Sequence, residues 1–112
     1  MTSDVASQLR KGVVESCVLG LLSRERMYGW ELSEALVERG LIASIGTLYP
    51  MLSRLRAQGL VTAIEEPSAA GPVRKYYRLT PAGIAQLADF RAQWSPFVSA
   101  VNDLVGKDET HD

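Results

Sequence analysis

The chain has 112 residues and a formal net charge of −1 at pH 7, and 46% of its residues are hydrophobic. This length supports a small domain, and the hydrophobic fraction excludes wholesale disorder. No apolar run approaches the roughly 20 residues that span a membrane, and the first residues lack the apolar core of a secretion signal. Because the single cysteine, Cys17, cannot form an internal disulfide, we expect a protein of the reducing cytoplasm.

Residues 9–22 are predicted to form the first helix, because apolar side chains recur there in a broad stripe. A stripe this wide indicates burial against the domain and against a second subunit, and we assign Val13 to the subunit interface. After a polar connection, residues 30–39 form a second helix, whose exposed glutamates suit a supporting role rather than phosphate binding. A brief strand over residues 41–43 is expected next.

The stretch SIGTLYPMLSRLRAQGLV, residues 44–61, is predicted to contain the helix around which the chain is organised. Ser44 has the character of an N-cap whose hydroxyl accepts from the first free amides, and Gly59 suits the left-handed C-terminal cap. Three leucines at spacings of four and three line the inward face, namely Leu48, Leu52 and Leu55.

The other faces of this helix carry side chains that can donate hydrogen bonds to phosphates or base edges. We assign DNA contact to five residues of this stretch, namely Ser44, Thr47, Tyr49, Ser53 and Arg54. Taken alone, the pattern slightly favours an ordinary amphipathic surface helix.

Pro50 leaves the start of this helix open. If the helix begins at Ile45, Pro50 lies beyond the first turn and removes the hydrogen bond to the Gly46 carbonyl. If Thr47 is the cap, Pro50 lies in the first turn at little cost.

Residues 60–66 and 73–79 are predicted to form a β-hairpin whose six-residue loop is too long for a tight turn. Alternation turns Tyr77 and Leu79 toward the core and places Lys75 at the outer end of that face, near the helix. We expect Arg74 and Lys75 to hold backbone phosphates, as a wing would. The alternative is a solvated edge hairpin whose cations deter edge-to-edge pairing.

Thr80 and Pro81 have the character of a cap and first residue of a last helix. Large apolar residues then form a seam typical of helix–helix packing, which we assign to a homodimer interface: Leu87, Phe90, Trp94, Phe97, Val101 and Leu104. Pro96 predicts a kink or break near Ser95, with arms over residues 82–94 and 97–106. Residues 107–112 are expected to be a flexible tail.

The net charge of −1 by itself argues against nucleic-acid binding, but the charges are unevenly distributed along the chain. Residues 44–80 hold five cations and two anions, whereas residues 81–112 hold two cations and five anions. Because the only histidine, His111, lies in the tail, we predict no catalytic residues, no metal site and no cofactor. The sequence therefore indicates a binding protein rather than an enzyme.

Three segments resemble the PadR family of bacterial transcriptional regulators: RKGVVESCVLGLLSRERMYGWEL, GTLYPMLSRLRAQGLV and GPVRKYYRLTPAG. The resemblance runs from about residue 9 to the end of the last helix. It implies a mainly helical α+β fold, with a winged helix-turn-helix domain over residues 1–80, its wing over about 60–79. A dimerisation helix over residues 81–106 completes that fold.

The resemblance further implies a homodimeric repressor that binds a palindrome in double-stranded DNA, with half-sites about one helical turn apart. In some relatives a small planar aromatic ligand binds at the dimer interface, and Trp94 stands in the corresponding region. Two departures from the family pattern are Arg56, where an acid is common, and Pro72-Val73, which weakens any detailed prediction about the wing tip. Two other classes fit the sequence: a winged-helix protein-interaction module without DNA binding, and a small ligand-binding dimer.

Overall fold

The computed structural model describes residues 3–69 and 71–106. It confirms the predicted mainly helical α+β fold with a winged helix and a long last helix. The elements follow in chain order: α1 Ser3–Arg10, α2 Val14–Leu22, β1 Met27–Tyr28, α3 Gly29–Glu38, α4 Ile45–Ala57, β2 Val61–Ser68, β3 Gly71–Leu79 and α5 Pro81–Val105.

Two helices stand where one was predicted over residues 9–22. Gly12 adopts a φ of 76°, in the left-handed region that glycine enters without a steric penalty. Around it the chain turns, with the Val13 amide donating to the Arg10 carbonyl at 3.0 Å. The prediction of one continuous helix is wrong because the apolar stripe continues across a glycine that redirects the backbone.

The sheet has three antiparallel strands in the order β1-β3-β2. Its short strand β1 pairs Met27 with Tyr77 and Tyr28 with Tyr76, in a segment that was predicted to be a polar connection. The strand predicted over residues 41–43 is wrong: that segment is a loop that buries Ile42 in the core.

The hairpin is longer than predicted. Ser68 pairs with Gly71, and an irregularity in the pairing lies between Glu66 and Ser68. Two residues therefore separate β2 from β3, and the prediction of a six-residue loop is wrong. The predicted alternation along β3 is confirmed, since Tyr77 is buried and Leu79 packs against the core.

One hydrophobic core lies between the helices and the inner face of the sheet. The predicted inward leucines of α4 are confirmed, because all three belong to the most deeply buried side chains. These side chains are Val18, Leu19, Leu32, Leu36, Leu48, Leu52 and Leu55.

Helix α5 begins as predicted. The hydroxyl of Thr80 accepts from the Gly83 amide at 3.0 Å and donates to the Gly59 carbonyl at 2.6 Å, while Pro81 occupies the first helical position. Gly83 is buried, and a Cβ there would lie 2.1 Å from the carbonyl oxygen of Leu60. The start of α5 is therefore fixed tightly onto the end of α4 and the wing.

The helix continues through Pro96 to Val105, so a break into two arms is wrong, whereas a kink near Ser95 stays a prediction. A proline removes one hydrogen bond, and the turns on both sides of it are retained here. The flexible tail predicted over residues 107–112 lies outside the described residues.

The molecule is elongated, with extents of 64 × 32 × 21 Å and a radius of gyration of 16.9 Å. A compact chain of this length would have a radius near 13 Å. Since α5 has 25 residues, it is about 37 Å long and extends beyond the winged helix. Across the described residues, no helix combines the length and apolar character of a membrane span.

Candidate nucleic-acid interface

Helix α4 exposes the polar face that the sequence predicted. It begins at Ile45, which decides the open question about Pro50 in favour of a proline inside the helix. Ser44 is the N-cap residue, but its side chain makes no capping hydrogen bond, so the predicted role of its hydroxyl is wrong. The Ser44 carbonyl instead accepts from the Thr47 amide at 3.0 Å.

The predicted DNA-contact residues of this stretch share one property, which is exposure to solvent. The exposed residues are Ser44, Thr47, Tyr49, Ser53 and Arg54. They lie on different flanks of α4. Tyr49 faces the wing, whereas Thr47 and Arg54 face α2 across a cleft that Glu15 also lines.

The flank toward the wing forms a cationic and aromatic cleft of about 570 Å³ between α4, β3 and the start of α3. Tyr49, with 49% of its surface exposed, lies against the buried Gly29. The structure thus brings the predicted residues Tyr49, Arg74 and Lys75 to one cleft. Burial raises the pKa of Tyr77 at its base, so that phenol stays neutral at physiological pH.

Trp30 also lines this cleft, with 54% of its surface exposed. Sequence reasoning gave α3 only a supporting role because its glutamates dominate the pattern. The signal that could have found Trp30 is its position directly after the Tyr28-Gly29 pair, in one of the three segments that resemble the family.

The flank toward α2 has a different character. Arg54 donates from Nε and Nη2 to Oε2 of Glu15, at 3.0 and 2.7 Å. The predicted DNA-contact residue Arg54 is therefore held by a carboxylate of the same chain. The sequence gave no sign of this pair, because its members lie 39 residues apart.

The apolar seam predicted for α5 divides into two parts. Leu87 is 4% exposed and belongs to the core of its own chain, so its assignment to a dimer interface is wrong. Phe90 is half-buried, while Trp94, Phe97 and Leu104 are 40%, 61% and 86% exposed. Val101 also remains exposed.

The exposed part of the seam begins beside the junction of α1 and α2. Phe90 stacks on Trp94 with ring centroids 5.3 Å apart, and the ring centroids of Trp94 and Phe97 are 6.3 Å apart. These rings and the half-buried Val13 line a cleft of about 290 Å³. Val13, assigned to the interface from the sequence, is therefore continuous with the aromatic residues.

Helix α1 adds apolar surface that sequence reasoning missed. Val5 and Leu9 are exposed one helical turn apart. The sequence predicted that Leu9 belongs to the buried stripe of the first helix. That prediction is wrong, because the turn at Gly12 separates Leu9 from the stripe.

Nothing in the described part of the chain suggests reactive or metal chemistry. Cys17 is half-buried and unpaired with another cysteine, and burial raises the pKa of its thiol, which favours the unreactive protonated form. Residues 3–69 and 71–106 contain no group of three or more potential metal ligands.

Comparison with known proteins shows the family to which the chain belongs. The family described as "Transcriptional regulator PadR-like family" matches residues 18–89. Transcriptional regulator Rv3488 of Mycobacterium tuberculosis is 36% identical over 84 residues, which cover 75% of this chain and 78% of the relative.

Solved structures give the same result. A PadR-like transcriptional regulator from Bacillus cereus has a TM-score of 0.80 at 38% identity, over 90% of this chain and 99% of that one. Bacillus subtilis PadR in complex with operator DNA has a TM-score of 0.63 at 27% identity, over 70% of this chain and 46% of that one. The chain therefore belongs to the PadR-like family of transcriptional regulators, as its sequence predicted, and is a regulator rather than an enzyme.

Proposed function

We propose that the protein is a transcriptional repressor that binds a palindromic DNA operator as a homodimer. The observation that carries this proposal is the cleft in which Tyr49 of α4 meets Arg74 and Lys75 of the wing. A helix with exposed hydrogen-bond donors suits the major groove, and the adjacent cations suit the phosphates that flank it. The similarity to a PadR protein crystallised with operator DNA supports this use of the surface.

In this proposal the two kinds of contact have different roles. Thr47, Tyr49 and Ser53 face base edges, where hydrogen bonds and apolar contacts read the sequence. Arg74 and Lys75 hold phosphates, which fix register without reading sequence. Ser44, exposed at the start of α4, lies where backbone amides also favour a phosphate.

Arg54 can contact DNA only if its guanidinium first leaves Glu15. The side chain of Arg54 is 58% exposed and that of Glu15 is 32% exposed, so their ion pair is partly solvated. An exposed pair of this kind contributes about 0–1 kcal/mol. A phosphate or guanine can therefore displace Glu15 at small cost, and the guanidinium can turn from α2 to DNA.

The homodimer forms through the exposed part of α5. Phe90, Trp94, Phe97, Val101 and Leu104 leave an apolar face on a helix that extends beyond the winged helix. A second copy of the same face covers it in a two-fold arrangement. Two-fold symmetry places two α4 helices on half-sites about one turn of DNA apart, which is why the operator is palindromic.

A small aromatic effector is the proposed input, and Trp94 is its proposed contact. Its indole lies at the cleft with Phe90, Phe97 and Lys11, where a planar ring can stack. In a Trp30→Phe background, a binding aromatic compound quenches Trp94 emission in a saturable titration. Trp94 emission that changes no more than the background signal of a variant also carrying Trp94→Phe, titrated with the same compound, would exclude this contact.

Gel-shift binding to the DNA upstream of the protein's own gene, at two salt concentrations and with a scrambled competitor, tests the DNA-binding proposal. Tyr49→Ala is expected to reduce the preference for the operator about tenfold, which corresponds to about 1.4 kcal/mol of lost base discrimination. Lys75→Ala is expected to weaken all DNA about equally. It should also lower the salt slope by about two per dimer, because each subunit loses one phosphate contact.

Arg39→Ala is the matched control, since Arg39 lies with Cys17 and Arg91 at another cleft. It should bind like the wild type. Absence of operator binding by a folded dimer would contradict the proposal and favour a protein-interaction module on the same scaffold.

A further inference from the structure

A row of stacked side chains crosses the outer face of the sheet, outside the predicted DNA contacts. The rings of Tyr28 and Tyr76 stack with centroids 4.1 Å apart, and their hydroxyls are hydrogen-bonded at 2.5 Å. Trp30 continues the row 6.2 Å from Tyr28. The hydrogen bond to Tyr28 raises the pKa of Tyr76, so the Tyr76 phenol is neutral at physiological pH.

Arg26 closes the other end of the row. Its guanidinium carbon lies 4.0 Å from the Tyr76 ring centroid, and its Nη1 donates to Oε2 of Glu66 at 2.8 Å. The planar guanidinium can stack and pair with a carboxylate at the same time. Arg26, from the connection before β1, therefore contacts both strands of the wing.

The carboxylate that Arg26 holds belongs to Glu66, which lies beside a cation proposed to contact DNA. Glu66 stands directly opposite Arg74 in the register of β2 and β3, and directly opposed side chains of unlike charge attract each other. The guanidinium of Arg74 nevertheless lies over the Tyr28 ring, 5.4 Å from its centroid, at the cleft with Lys75. The carboxylate of Glu66 is engaged by Arg26 instead.

We propose that Arg26 is a positioning residue for DNA binding: it engages Glu66 and thereby leaves Arg74 directed toward the phosphate backbone. The proposal rests on the proposed function. Without Arg26, Glu66 turns to its cross-strand neighbour Arg74 and cancels a cation of the wing. Arg26 itself makes no contact with DNA in this scheme.

The test compares Arg26→Ala, Glu66→Gln and the double variant in gel-shift titrations over a range of salt. Arg26→Ala is expected to weaken DNA binding about threefold to tenfold for any sequence, and to lower the salt slope by about two per dimer. The double variant is expected to recover binding to within twofold of Glu66→Gln alone, since the carboxylate that captures Arg74 is gone. Arg24→Ala is the matched control, because it removes an exposed cation from the same connection.

Rescue separates positioning from a merely structural or direct role. If the double variant binds as weakly as Arg26→Ala, Arg26 acts by contacting DNA or by supporting the fold, and the proposal is overturned. It is also overturned if Arg26→Ala binds no worse than Arg24→Ala.

A second measurement needs no DNA and keeps failure of this proposal distinct from failure of the proposed function. In free protein, the NMR signal of the Arg74 Nε–Hε group is expected to shift in Arg26→Ala and to return in the double variant. An Arg74 signal that stays at its wild-type position in Arg26→Ala contradicts the exchange of partners, whether or not the protein binds DNA.

Discussion

The first turns of α5 and its later turns differ in what covers them. Near the start, Gly83 packs on the Leu60 carbonyl and Leu87 is buried in the core. Further along the same helix, Phe97 and Leu104 are largely exposed. One continuous apolar repeat therefore has two environments: its beginning completes the winged helix, and its remainder is the exposed surface that we propose for a second chain.

This difference divides the molecule into a part that is complete in one chain and a part that, in the proposed function, is covered by a partner. The winged helix and the first turns of α5 together hold all the core residues of the described chain, from Val14 to Leu87. The projecting turns of α5, which we call the arm (residues 90–105), contribute nothing to that core. The arm and the winged helix should therefore respond differently to the same kind of substitution.

The largest expected effect is on the winged-helix side. Leu87→Ala should lower the free energy of unfolding by about 2–5 kcal/mol, because it removes buried methyl groups and leaves a cavity. Urea denaturation at one protein concentration measures the loss. Ile84→Ala is the control from the same helix; Ile84 is 59% exposed, so its truncation should change stability by no more than about 0.5 kcal/mol. Equal effects of the two substitutions would contradict the burial of Leu87 in the core at the start of α5.

The sequence predicted features that depend on local periodicity. The spacing of Leu48, Leu52 and Leu55 identified the buried face of α4, and alternation along β3 identified Tyr77 as buried. The Thr80 cap was also predictable, since it depends on an amide three residues away. In each case the residues that decide the structure lie close together in the sequence.

The features that the sequence did not predict depend on distant partners or on a single backbone angle. Strand β1 exists because Met27 and Tyr28 meet β3, about 50 residues later. Arg54 could not be told from the wing cations without knowing that Glu15 is beside it. Leu87 has the same spacing as the dimer seam, so periodicity could not assign it to the core.

A smaller effect is expected on the arm. Phe97→Ala should raise the dissociation constant of the dimer at least tenfold, or about 1.4 kcal/mol, because aromatic anchors supply much of the binding energy of an interface. Sedimentation equilibrium measures this constant directly. Each subunit should retain its fold, since Phe97 lies outside the core.

Concentration dependence distinguishes this effect from that of Leu87→Ala. A dimer that dissociates on unfolding becomes more stable as protein concentration rises. The thermal midpoint of Phe97→Ala should therefore approach that of the wild type at low concentration and fall below it at high concentration. Leu87→Ala should lie below the wild type at every concentration. If the thermal midpoint of Phe97→Ala also lies below that of the wild type at every concentration, the exposed face of the arm stabilises the single chain. The second copy must then dock elsewhere.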